Sequence, residues 1–95
     1  MSLSLEELTA VGRQLLKEIR RLAGKYHIKS DAHEILSYEA EIMDRLLECL
    51  VEGQVVRNAG QESVILFSWG RSLSREEPQI VEAAERFYRS IEEAS

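Results

Sequence analysis

The side chains able to do chemistry in this 95-residue chain are two histidines, one cysteine and a row of glutamates. Their spacing decides against most reactions. His27 and His33 stand six residues apart and on different elements, whereas two imidazoles that share a metal on a helix face need i, i+4. Bundle metal sites pair Glu with His at i, i+3; from His33 that reaches Ser30 and Leu36, neither of them acidic. Cys49 lies in an apolar stripe, remote in sequence from both histidines, and a thiol nucleophile needs a base beside it. Glu34, Glu39, Glu41 and Glu48 read as a solvated helix face. Glu39 is set apart from them: it lies close to the apolar stripe and is expected to meet a cation across an interface. The five glycines are dispersed and form no phosphate loop. Trp69 reads equally as an interface anchor or a core residue. These patterns predict no metal, no cofactor, no small-molecule substrate and no enzyme.

Composition bounds the rest. One domain over 1–95 is expected from the length. An apolar fraction of 44% beside 31% charged residues is that of a globular chain. No apolar run is long enough for a membrane span, and the N-terminus lacks a signal-peptide layout. A single cysteine excludes an intramolecular disulfide and suits a reducing compartment. The expectation is an intracellular protein: nuclear if eukaryotic, otherwise cytoplasmic or nucleoid. The net charge of −5 argues against a main task of wrapping nucleic acid, because phosphate neutralisation needs a basic surface. Cations gather in the first third (Arg13, Lys17, Arg20, Arg21, Lys25, Lys29). Acids gather in the last (Glu76, Glu77, Glu82, Glu85, Glu92, Glu93). Such blocks are most simply solvated helix faces.

The elements that would position these groups are helical. Ser4 and Glu7 form a capping box for a first helix from Leu5 to Ala23. Leu8, Val11, Leu15, Ile19 and Leu22 form its stripe, Gly24 ends it, and Gly12 marks a bend or a close contact. Tyr26–Ile28 reads as a short extended link. A second helix is capped by Ser30, with Asp31 and Glu34 in its first turn. Its apolar period runs from Ile35 to Val56, which predicts an end at Gly60. Thirty residues of helix measure about 45 Å, far more than the radius of gyration of about 12–13 Å for a compact chain of this size. That helix would overhang its own core and need a second chain to cover its stripe. The rival reading breaks the helix near Leu50 at Gly53, with a hairpin pairing Gln54–Arg57 to Val64–Phe67. Ser74 with Glu77 forms another capping box, and Pro78 falls in the first turn of a last helix lined by Ile80, Ala84, Phe87 and Ile91.

Helix, short loop, long helix, short loop, short helix: this order resembles the histone fold. The resemblance is carried by Lys25-Tyr26-His27-Ile28-Lys29-Ser30 at the first loop and by Arg57-Asn58-Ala59-Gly60-Gln61-Glu62-Ser63-Val64 at the second. In the second, Ala59, Gly60, Ser63 and Val64 fall on matching positions. Gln61 and Glu62 stand where many family members carry a basic pair, and Ser68 stands where they carry the Asp that pairs with it. The layout looks more like the non-core members, of the TBP-associated-factor or centromere-protein type. The resemblance implies an all-α histone fold with core about 13–73, an extra C-terminal helix about 75–93, and a handshake dimer. It implies pairing with itself or a related histone-fold chain as a structural subunit of a DNA-associated assembly. The interface would be Ile35, Leu36, Ile42, Met43, Leu46, Leu47 and Leu50, with Val64 and Ile65 forming strand bonds to Tyr26–Ile28 of the other chain. One alternative is a homodimer that binds DNA weakly through Arg20, Arg21, Lys25, Lys29 and Arg57. The other is a monomeric helical adaptor or chaperone with a β-hairpin and a peptide-binding groove.

Overall fold

A computed structural model describes residues 4–54, 59–66 and 75–94. Among these the chain is helical throughout and holds no strand: α1 is Leu5–Lys25, α2 is Asp31–Val51, a single 3-10 turn spans Ala59–Glu62, and α3 is Pro78–Ala94. Val55, Val56, Arg57, Phe67, Ser68, Trp69 and Ser74 lie outside the described residues.

Helix α1 starts as its sequence dictates. Ser4 Oγ accepts from Glu7 N at 3.2 Å, and Ser4 N donates back to Glu7 Oε1 at 3.3 Å. It runs two residues beyond Ala23, through Gly24, before Tyr26 turns extended. Its buried face is Leu8, Gly12, Leu15, Leu16, Ile19, Leu22 and Ala23. Val11, expected in the stripe, is 45% exposed; Gly12 and Leu16 take the inward positions. The link to α2 is a tight turn and not an extended segment: Ser30 N donates to His27 O at 2.8 Å, leaving Ile28 exposed.

Helix α2 is capped as expected, with Ser30 Oγ accepting from His33 N at 3.2 Å. Its end corrects the sequence reading. Gly53 adopts φ +84, a left-handed conformation that side chains with a Cβ resist. Gly53 N then donates to Leu50 O at 3.0 Å and Gln54 N to Cys49 O at 2.9 Å. Those paired bonds make a Schellman motif. The helix therefore stops at Val51, and Gly60 belongs instead to the 3-10 turn, packed on Tyr88. Its 21 residues measure about 32 Å, within the molecule's long dimension of 36 Å. The radius of gyration is 12.7 Å. Nothing overhangs.

The three helices run up, down and down. Ala23 of α1 lies beside His33 of α2, and Gly12 beside Leu47, so these two are antiparallel. Tyr26 at the top of α1 meets Glu77 just before α3, while Phe87 lies beside Gly12, so α3 is antiparallel to α1 and parallel to α2. The connection between α2 and α3, residues 52–77, is therefore a parallel crossover from one end of the bundle to the other. The core is one cluster in which α1, α2 and α3 all take part. Ile35, Leu36, Ile42, Met43, Leu46, Leu47 and Leu50 are each at most 7% exposed within this single chain. The expectation that a second chain must cover the α2 stripe does not hold, because α1 and α3 cover it.

Candidate interaction surface and the buried Glu39 centre

Glu39 is completely buried on the inner face of α2, where an unpaired carboxyl group would be costly. Among the described residues it meets no cation there. Its Oε1 accepts from Ser63 Oγ and from Tyr88 OH, each at 2.6 Å. Its Oε2 accepts from the backbone N–H of Val64 at 2.8 Å and of Ile65 at 3.1 Å. Four donors converge on two oxygens, the capacity of a carboxylate that only accepts. One side chain thus ties α2 to the crossover and to α3. Among the described residues, no buried side-chain nitrogen or oxygen lacks a partner. The same bonds bear on the expected loop pairing. The Val64 and Ile65 amides are engaged by Glu39, residues 64–66 form a turn, and Ile65 is core, so residues 64–66 form no hairpin strand within the chain and these two amides are not free for the expected strand bonds.

The remaining chemical groups have structural partners. His33 Nδ1 lies 2.7 Å from the carbonyl oxygen of Ala23, which places the proton on that nitrogen and satisfies an otherwise open carbonyl at the end of α1. Cys49 is half-buried and free. Among the described residues no group of three or more His, Cys, Asp or Glu is placed to hold a metal ion.

The cations proposed for phosphate face acids of the same chain. Arg20 lies 3.9 Å from Asp44, Arg21 lies 2.8 Å from Glu18, and Lys25 lies 3.4 Å from Glu77. Lys29 is exposed in the turn, and Arg57 is outside the described residues. Glu77, expected to close a capping box with Ser74, accepts from Tyr26 OH at 2.9 Å. That bond, followed by burial, pushes the Tyr26 phenol up to about 12 from its ordinary 10.0. A group whose pKa rises on folding stabilises the fold fully below its unfolded value and loses that contribution as pH climbs through the folded one. Tyr26→Phe should therefore be less stable than the parent by a constant margin below pH 10, and the margin should close between pH 10 and about 12. Urea titrations at stepped pH check this; a margin unchanged at pH 12 would contradict it.

Among the described residues one groove lies between α1 and α2, lined by Leu16, Leu47 and Val51, and a larger one lies elsewhere on α1. Between α1 and α3 runs a cleft of about 600 Å³. Val11, Leu15, Leu22, Ile80 and Ala83 supply its apolar lining, and Gln14, Glu18, Arg21, Glu77 and Gln79 its polar rim. Grooves between helices that are apolar inside and polar at the edge are where small helical proteins accept a partner side chain or helix. No residue of this groove was among the expected interface positions. Its signal was Val11, an apolar residue one step off the buried stripe. No family model, curated protein or solved structure matches this chain.

Proposed function

We propose that this protein is a non-catalytic protein–protein interaction module that pairs through the groove between α1 and α3. The observation that carries this reading is the contrast between its two apolar faces. The α2 stripe is closed within the chain, whereas the α1–α3 groove is open and holds Val11 at 45% exposure. Pairing was the act expected of the chain; its surface is reassigned from α2 to this groove. A place in a DNA-associated assembly, as the histone-fold resemblance implies, rests on the order of the helices and the Ser30 cap. Against a direct phosphate contact stand the acid partners of Arg20, Arg21 and Lys25. Exposed pairs of this kind are weak, but they lower the positive potential that a thin basic patch would need.

A photo-crosslinking residue at Gln14 or at Ala83, on the groove, should give covalent protein adducts in native extract. The same residue at Glu41, on the outer face of α2, should give none. Equal yields at all three positions would remove the groove from consideration and this reading with it.

A further inference from the structure

Helix α1 carries a second stripe, distinct from its buried one. Glu7, Val11, Gln14, Glu18 and Arg21 follow each other at alternating steps of four and three, the spacing of a helix–helix seam. All but Glu18 are exposed, and Val11 through Arg21 line the groove. The stripe is polarised. Glu7 stands at its start and Arg21 at its end, with Val11, Gln14 and Glu18 between them. Charge reverses sign about Gln14: seven residues before it is Glu7, and seven after it is Arg21.

We infer that a second copy of this chain occupies the groove, with α1 antiparallel to α1 and a two-fold axis passing at Gln14. This rests on the pairing function proposed above and names its partner. The two-fold sets Glu7 of each copy against Arg21 of the other and Gln14 against Gln14. Ala10 and Ala83 leave room for the backbones to approach. Arg21 already pairs with Glu18 at 2.8 Å, and its guanidinium keeps further N–H donors for Glu7. A parallel arrangement would set acid against acid and cation against cation; the antiparallel one satisfies both ends with a single kind of contact, as a self-complementary interface requires.

Sedimentation equilibrium of the full chain should show a reversible species at twice 10.9 kDa. In a Cys49→Ser background, Gln14→Cys should form a disulfide-linked dimer under mild oxidation at least tenfold faster than Glu41→Cys. Arg21→Glu should weaken the dimer at least tenfold, and adding Glu7→Lys to it should recover most of that loss. Circular dichroism of each variant at dilute concentration separates dimer loss from unfolding. A chain that stays monomeric at millimolar concentration overturns the inference, as does a dimer whose Gln14→Cys form links no faster than the control. Groove crosslinks to a different protein, with no self-association, would overturn the second copy as occupant and leave the module reading intact.

Discussion

Replacing Glu39 by alanine is expected to remove about 3–5 kcal/mol from the stability of the fold, the range found when one member of a buried polar cluster is deleted. The substitution takes away the acceptor of four hydrogen bonds at once and leaves the Val64 and Ile65 amides facing a cavity. Domains of this kind hold only about 5–15 kcal/mol in reserve, so the variant should sit near its unfolding midpoint under mild conditions. Glu39→Gln is the sharper test. An amide keeps one oxygen for the Val64 and Ile65 N–H groups and turns its NH2 toward the Ser63 and Tyr88 hydroxyls, which must then accept where they donated. It should therefore be destabilised less than alanine but measurably, although it keeps the size and shape of the side chain. Urea unfolding followed by circular dichroism measures both. A glutamine variant within about 0.5 kcal/mol of the parent, the ordinary scatter of surface substitutions, would show that the four donors do not depend on a carboxylate.

The second large effect is expected at Gly12, where α1, α2 and α3 meet. A Cβ there would lie 2.5 Å from Leu47 Cδ2 and 2.8 and 2.9 Å from Phe87 Cζ and Cε1. Both neighbours are buried, and the aromatic ring has little freedom to yield. Alanine gains about 1 kcal/mol of helix propensity over glycine, but overpacking a core costs about 1–3 kcal/mol. Gly12→Ala is thus expected to lose stability on balance, and Gly12→Val to lose about 3 kcal/mol as the overpacking grows. Gly24 supplies the comparison within the same helix. Nothing lies within 4 Å of its notional Cβ, so Gly24→Ala should gain up to about 1 kcal/mol. Thermal melts of the two alanine variants should move in opposite directions; movement in the same direction would refute the close-contact account of Gly12.

Much of the helical framework was legible in the chain because caps act locally. Ser4 with Glu7 and Ser30 both start helices where they were expected to, and α3, which opens at Pro78, has the anticipated inward face. Gly12 was read as a bend or a close contact, and the contact is what forms. The end of α2 falls where the rival reading puts it, near Leu50 at Gly53, though without a hairpin strand at residues 64–66; the longer reading overruns because Val55 and Val56 prolong an apolar period that cannot register a single left-handed residue. The seam of α1 was missed for a related reason: Val11 looks like core by type, and a rotation of the buried face toward Gly12 and Leu16 was needed to bring it outside. Glu39 was set apart from its solvated neighbours correctly, yet the expected partner was a cation. Its actual partners are two backbone amides, a serine and a tyrosine 49 residues away, and no sequence spacing announces a donor that distant.

The crossover that makes α2 and α3 parallel has an entropic side. The turn between α1 and α2 occupies residues 26–30, whereas the connection into α3 occupies residues 52–77, roughly five times longer. Loop closure grows by about 0.6 kcal/mol per doubling, so the longer excursion costs about 1.5 kcal/mol more than the short one. A chain with a single cysteine has no covalent cross-link with which to shorten it. Glu39 fills that role without a bond. By gripping residues 63–65 near the middle of the connection, it divides one long closure into two shorter ones.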